Sequence, residues 1–364
     1  MIQLYPHQYL QYFTEKVFLQ LGCPENQAKL AAEVLISADL RGIDSHGIAR
    51  LPGYVRLADL GRLNPKPQTK ITHQTPSTAV LNGDAGLGLV VAPEAMQIAI
   101  EKARNVGTGW VAVNNSNHFG IAGFHAMLAL PHDMIGIAMT HAGPLVAPTF
   151  SKDKMLGTNP IAVAIPALTE PPFVMDLATT TAAYGKLEIL QRKNLATPTG
   201  WVQDAEGEQV TDADAVKKGG ALLPLGGDRE HGSHKGYALG AWVDIFSGVL
   251  SGANFGPWVP PFATAGFMNT AQTLVGEGTG HFLGAMRIDA FREAKDFKES
   301  MDIWIKKFRS AQPVVGQESV LIPGDPERES EKERLQTGIP LLPVVADNLQ
   351  LLAERFNLSF QKKN

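Results

Sequence analysis

Between residues 78 and 177 short apolar runs alternate with helical stretches, and this alternation constrains the fold more than any other feature of the chain. Thr78-Ala79-Val80-Leu81, Trp110-Val111-Ala112-Val113, Ile135-Gly136-Ile137-Ala138-Met139-Thr140, Ile161-Ala162-Val163-Ala164-Ile165 and Phe173-Val174-Met175-Asp176-Leu177 have the length and composition of buried strands. Residues 90–105 and 121–130 carry helical spacing. An α/β core is therefore predicted. A dinucleotide fold of the common kind needs Gly-x-Gly-x-x-Gly between an early strand and its helix. Gly83, Gly86 and Gly88 have the wrong spacing for that, and Gly107-Thr108-Gly109 precedes a strand. The sequence also lacks a Walker-type loop and a nucleophile elbow.

The flanks read differently. Residues 7–38 predict two amphipathic helices broken at Gly22-Cys23-Pro24, and helical spacing resumes from Leu51 to Leu60. Asn64-Pro65-Lys66-Pro67 forces an extended linker, which puts a domain boundary near residue 75. Beyond residue 177 the pattern predicts a polar hairpin over 201–212, a buried glycine-tolerant helix over 235–250 and a Gly/Pro-rich loop over 255–267. A strand over 282–288 and charged helices over 289–309, 325–337 and 345–354 follow.

Composition narrows the partners. At 364 residues, with 44% hydrophobic and 19% charged positions, the chain has enough material for a sizeable core. A formal net charge of −4 gives no electrostatic reason to expect nucleic acid or an anionic membrane. The single cysteine, Cys23, excludes an intrachain disulfide and any thiolate metal cluster from one chain, so a reducing compartment, the cytoplasm, is expected. The opening residues lack a signal-peptide pattern, and no window reaches membrane-spanning length.

Several polar turns at the ends of apolar runs carry candidate chemistry. In Asp44-Ser45-His46-Gly47-Ile48-Ala49-Arg50 an imidazole precedes a guanidinium by four residues, one helical turn if a helix begins near Gly47. A guanidinium fork grips a carboxylate, and an imidazole exchanges a proton with a neighbouring hydroxyl near neutral pH. The pair suits a 2-hydroxy or 2-oxo acid; alternatively it is an ordinary surface pair with a structural histidine. His118, in Asn117-His118-Phe119-Gly120, is a second acid-base group or a loop cap. Gly157-Thr158-Asn159-Pro160 offers donors for a phosphate or a nicotinamide amide, or is a plain turn. Asp176-Leu177-Ala178-Thr179-Thr180 ends a strand with a carboxylate and two hydroxyls. Lys235, in His234-Lys235-Gly236, is a phosphate contact or a solvated side chain. His231 and His234 lack further ligands for zinc, so no metal is expected.

Taken in order, Asp44-Ser45-His46-Gly47-x-x-Arg50, Asn82-Gly83-Asp84-x-Gly86-x-Gly88, Gly157-Thr158-Asn159-Pro160, Asp176-x-Ala178-Thr179-Thr180, His234-Lys235-Gly236-Tyr237 and Ser247-Gly248-Val249-Leu250-Ser251-Gly252 resemble the malate/L-lactate dehydrogenase family of non-Rossmann type. Sulfolactate, ureidoglycolate and diketogulonate oxidoreductases belong to the same family. The resemblance covers nearly the whole chain. It implies a three-layer α/β/α fold with a mixed, largely antiparallel sheet and helical N- and C-terminal segments packed together. A helical segment 1–75 bearing the catalytic His and Arg, a cofactor-binding domain 76–288 and C-terminal helices 289–364 follow from it, as does a homodimer. NAD or NADP bound without a glycine-rich fingerprint is also implied. Position by position, His46 matches the proton donor, Arg50 the substrate-carboxylate anchor with Ser45 a second substrate residue, and His118 the residue assigned to acid-base work in some members. Thr158, Asn159, Pro160, Asp176, Leu177, Ala178, Lys235 and the late loop Gly324-Asp325-Pro326 match cofactor contacts. The longer stretches 226–234 and 252–265 depart from the shorter family pattern and put the particular substrate in doubt.

The resulting expectation is hydride transfer between a nicotinamide and a small 2-hydroxy acid, malate- or lactate-like, with His46 on the substrate hydroxyl and His118 polarising or positioning. Rival readings are a cyclic imino acid reductase, a non-catalytic cofactor-binding protein and a metal-dependent lyase. Gln191-Arg192-Lys193 is either a contact to a 2′-phosphate or an exposed basic run.

Overall fold

The computed structural model describes residues 2–262 and 275–361, and the side chain of Arg192 is likewise outside what it describes. The expected loop over 255–267 and the 252–265 stretch therefore lie partly outside the described residues, as does the Arg192 phosphate contact.

The chain begins with a short strand, β1 (Gln3–Tyr5), and two helices, α1 (His7–Gln20) and α2 (Glu25–Leu40). Pro6 and Pro24 immediately precede these helices, where a missing N–H costs nothing, and Gly22 at φ 93° turns the chain between them. Helix α3 (Leu51–Asp59) follows. The α/β unit then runs β2 (Lys70–Gln74), β3 (Thr78–Gly86), α4 (Gly88–Val106), β4 (Thr108–Ser116), α5 (Ala122–Met127), β5 (Met134–Thr140), β6 (Ile161–Ile165) and β7 (Phe173–Leu177). Helix α6 (Tyr184–Arg192) leads to a small sheet of β8 (Val202–Gln203), β9 (Gln209–Val210) and β10 (Ala221–Leu222). The remainder is α7 (Ser233–Asp244), β11 (Thr279–Arg287), α8 (Ala294–Arg309), α9 (Asp325–Thr337), β12 (Ile339–Leu341) and α10 (Pro343–Phe356).

The main sheet has seven strands in the order β2-β3-β4-β11-β5-β6-β7. Only β3 and β4 pair in parallel; every other neighbour is antiparallel. The mixed, largely antiparallel sheet expected above is what the chain forms. On one face Ala92, Ala95, Met96, Ala99 and Ile100 of α4, with Ala122 and Ala126 of α5, bury against Val111, Val113, Ala138 and Leu283. Small side chains let these helices sit close to the strands. On the other face Val243 and Phe246 pack on Ala112, Met139, Ile161 and Phe282, completing three layers.

A separate core holds the chain ends together. Leu10, Phe13, Leu35, Leu51 and Tyr54 pack with Ile339, Leu349 and Phe360, and β1 pairs antiparallel with β12. Each such large side chain contributes about 1.5–3 kcal/mol on leaving water.

Three expectations need correction. Strand β2 joins the main sheet beside β3, so the sheet begins before residue 75; its burial pattern is exposed throughout, which hid it. The expected buried helix over 235–250 is α7 followed by a π-turn over Ile245–Val249, and it is buried on one side only. Tyr237, Trp242, Ile245 and Val249 are 39–54% exposed, because among the described residues only the side facing the sheet finds a partner. The helix expected over 121–130 stops at Met127, and a 3-10 turn covers Leu130–His132. Among the described residues no helix is long and apolar enough to cross a membrane.

Candidate active site

The turn between α2 and α3 sets the first half of the site. Asp39, at the end of α2, accepts the Ile48 N–H at 2.7 Å, and Gly47 fits against that carboxylate so closely that a Cβ there would lie 2.0 Å from Asp39 Oδ1. Gly47 is thus required by space, not by backbone φ. A 3-10 turn over Ile48–Arg50 precedes α3, so His46 and Arg50 do not share a helical face as the spacing suggested. The turn itself brings them together. Arg50 Nε donates to the Ser45 carbonyl at 2.5 Å, and Ser45 Oγ lies 2.9 Å from His46 Nδ1.

The second half comes from the loop after β4. The rings of His46 and His118 stack with centroids 5.7 Å apart. Tyr54 of α3 places its hydroxyl 2.6 Å from His118 Nδ1, and the Gly120 N–H donates to the same nitrogen at 3.3 Å. Because a backbone N–H can only donate, Nδ1 of His118 is an acceptor and its proton sits on Nε2. Nδ1 of His46 faces a hydroxyl, which can donate or accept; His46 can gain or lose a proton without losing its partner.

Both imidazoles are held neutral. Burial, and then the nearby Arg50 charge, lower His46 from 6.5 to about 3. Burial is also the first cause for His118, which the neighbouring His46 ring and the Arg50 charge push down further. A small cavity is lined by both rings together with His141, Thr158, Pro160 and Phe262. A larger one of about 540 Å³ opens beside Ser45 and Arg50, towards Arg56, Gly185, Glu188 and Lys193.

The residues expected at the cofactor divide into groups. Thr158 and Pro160 do border the two histidines. Asn159 is buried and its amide is spent on the frame, accepting the Ala142 N–H and donating to the Gly240 carbonyl. Asp176 Oδ2 accepts the Gly123 N–H at 2.7 Å, and burial raises its pKa to about 6. Leu177 pairs with Ile161 at the end of β7, and Thr179, after Ala178, donates its N–H to the Thr158 carbonyl. This joins the 157–160 turn to the end of β7. Lys235 lies exposed in the first turn of α7. The late loop docks beside β7, where Val174 N–H donates to the Pro323 carbonyl, while the Asp325 carboxylate is taken up by Arg309, Arg328 and the Ile322 N–H. Gln191 Nε2 donates to the Ala213 carbonyl, so its side chain is also occupied within the fold.

Sequence reading missed Tyr54, which looked like one more member of the apolar stripe of α3. It also missed His141, which follows β5 and accepts the Gly280 N–H at 2.7 Å, and His281, which bridges Thr140 at 2.8 Å and Ser116 at 2.9 Å beneath the His118 loop. An imidazole just after an apolar run was the available signal for His141.

Arg50 and two stacked imidazoles thus lie together beside a mixed three-layer sheet, a set of groups suited to a small carboxylic acid that exchanges a proton. A family model for malate/L-lactate dehydrogenase matches residues 5–350. The malate dehydrogenase of Pyrococcus abyssi is 43% identical over 344 residues, covering 94% of this chain and 92% of its own length. The L-sulfolactate dehydrogenase of Methanocaldococcus jannaschii is 40% identical, with 87% of each chain covered. The crystal structure of malate dehydrogenase from Entamoeba histolytica superposes with a TM-score of 0.91 at 32% identity over 100% of both chains. The chain belongs to the malate/L-lactate dehydrogenase family and is a 2-hydroxy acid dehydrogenase, which implies a nicotinamide cofactor.

Proposed function

We propose that the protein interconverts a small 2-hydroxy acid of the malate, sulfolactate or lactate type and its 2-oxo acid, with NAD or NADP as cofactor. The observation that carries this reading is the convergence of Arg50, His46 and His118 from two separate loops onto neighbouring cavities.

In this reading the Arg50 guanidinium holds the substrate carboxylate. His118, with its proton fixed on Nε2, donates a hydrogen bond to the substrate oxygen and polarises it. His46 moves the proton, because its Ser45 partner accommodates either protonation state. A carboxylate on Arg50 also offsets the positive charge that lowers the His46 pKa, so substrate binding moves that pKa upward. The nicotinamide, when bound, supplies the redox chemistry at the carbon bearing the oxygen.

The residues present fit a nicotinamide dinucleotide. The second carboxylate oxygen of Asp176 has no hydrogen bond among the described residues and suits a ribose hydroxyl, and the exposed Lys235 suits a phosphate. Thr158 and Pro160 form a wall beside the histidines. Leu177, Ala178 and Gly324-Asp325-Pro326 contribute backbone and apolar surface in this reading, and Asn159 and the Asp325 side chain brace it.

The helical ends, 1–75 apart from the edge strand β2 and 289–364, then form a lobe carrying the catalytic turn, against a cofactor-binding domain over 76–288 that β2 joins. The apolar side of α7 favours a homodimer, and a single buried cysteine favours the cytoplasm. The test is oxidation of NADH and NADPH, followed by absorbance, against oxaloacetate, pyruvate, sulfopyruvate and a cyclic imine. Oxidation by a 2-oxo acid supports the reading and selects the cofactor; silence across the 2-oxo acids in protein shown to bind NADH or NADPH overturns it.

A further inference from the structure

Arg50 already has an anionic partner inside the protein. Glu188, on α6, places Oε2 3.6 Å from Arg50 Nη2, with the two side chains 26% and 14% exposed. The contact depends on how closely α6 lies over the catalytic turn: a Cβ at Gly185 would sit 2.6 Å from Ser45 Cβ and 3.4 Å from Arg50 Nη2. Arg50 Nε is tied to the Ser45 carbonyl, so the guanidinium cannot swing away from Glu188 without breaking that bond. The nitrogen facing Glu188 is one that a bidentate carboxylate would use. The other acids on the same cavity are engaged elsewhere, Asp39 with the Ile48 N–H and Asp44 with Arg334.

We propose that Glu188 is a specificity-determining residue, occupying Arg50 in place of the substrate carboxylate and weighting the site against acids that carry a second anionic group. This rests on the reading of Arg50 as the carboxylate anchor. An entering carboxylate displaces Glu188 from Arg50, and the displaced charge stays in the same cavity. A monoanion meets only the competition for Arg50. A dianion also meets repulsion between its second group and Glu188, which offsets the attraction of Arg56 and Lys193 on the same cavity. The preference is therefore set by a helix outside the acid-base machinery.

The experiment is steady-state reduction of pyruvate and of oxaloacetate at saturating reduced cofactor by the wild type, Glu188→Gln, Glu188→Asp and Arg50→Lys. Gln keeps the shape and removes the charge. Glu188→Gln is expected to lower KM roughly three- to tenfold, more for oxaloacetate than for pyruvate, with kcat within about twofold. Glu188→Asp, which keeps the charge on a shorter arm, is expected to fall between. Calorimetric titration with the non-reacting propionate and succinate should show the same order in Kd, independent of turnover. An unchanged or raised KM in Glu188→Gln, alongside a raised KM in Arg50→Lys, overturns the role of Glu188 and leaves the anchor standing. An unchanged KM in Arg50→Lys overturns both.

Discussion

The hydroxyl of Tyr54 lies 2.6 Å from Nδ1 of His118, and their rings meet edge to face with centroids 5.8 Å apart. Tyr54 belongs to the helix that follows the catalytic turn, and His118 to the loop after β4. The contact therefore couples the helical lobe to the sheet at the place where the two imidazoles face each other. Phe262 closes on the same pair, 4.6 Å from the His118 ring and 5.1 Å from that of Tyr54.

Removing that hydroxyl leaves His118 Nδ1 held by the Gly120 N–H alone and loosens the orientation of the ring. Tyr54→Phe should lower kcat by roughly tenfold or more and cost about 1 kcal/mol of stability for the lost hydrogen bond. Steady-state kinetics with a thermal melt checks both. Wild-type kcat in the variant would remove Tyr54 from the site.

The two histidines make separable predictions. His46→Ala should reduce kcat by roughly a hundredfold or more, as expected for a lost acid-base group. His118→Ala should do less damage to kcat, since a polarising hydrogen bond is lost while the proton carrier remains. A loss confined to His118→Ala reverses the two roles.

Arg50→Lys replaces a fork with a point charge. KM for the 2-oxo acid should rise roughly tenfold or more, and the KM for cofactor should stay within about twofold. A rise in the cofactor KM alone would place Arg50 at the cofactor instead.

Gly47→Ala pushes a methyl group to within 2.0 Å of the Asp39 carboxylate that holds the Ile48 N–H. Overpacking of this kind costs about 1–3 kcal/mol, and it displaces the adjacent His46. A lower Tm together with reduced kcat is expected; a melt superimposable on the wild type would show that the turn tolerates the group.

Stability should fall in acid. His46, His118, His125, His141 and His281 are all held below the ordinary imidazole value, burial being the largest cause in each, with His46 and His141 near 3 and His125 near 4. Their unfolded forms take up protons first, so this stability is complete above pH 6.5 and is lost as pH drops towards 3. Asp39, Asp176 and Asp244 act the other way, because burial raises them and the native state protonates first. Five imidazoles outweigh three carboxyls. Melts at pH 7.5, 6 and 5 should show a declining Tm, and a Tm at pH 5 equal to that at pH 7.5 would contradict the balance.

Much of the fold was legible because periodicity reports burial. Helix α9 (Asp325–Thr337) has the bounds its charge pattern suggested, and β6 and β7 match their apolar runs. Burial also explains the misses. Strand β2, Lys-Ile-Thr-His-Gln, is an edge strand with no buried residue and so no alternation to read. The segment 235–250 is apolar over most of its length, which reads as buried, yet one side has no neighbour among the described residues. At the site, the titratable side chains His46, Arg50 and His118 stood out by residue type. Tyr54 did not, because a tyrosine inside an apolar stripe looks the same whether its hydroxyl meets water or an imidazole. Glu188 was invisible for a different reason: its meaning depends on a partner 138 positions earlier in the chain.

The turn carrying His46 is tied to the far end of the polypeptide. Arg334 bonds to both the Asp44 carboxylate and the Asp39 carbonyl, Arg41 pairs with Glu331 at 3.2 Å, and β12 lies against β1. During synthesis the first fifty residues leave the ribosome long before those partners exist, and domains form as their segments emerge. The seven-stranded sheet can be assembled while the turn carrying His46 still lacks its fastenings. If that turn carries the acid-base group as proposed, chemical competence comes in a late step, when residues 331–341 dock, and a nascent chain halted before that point is expected to hold most of the fold and little of the activity.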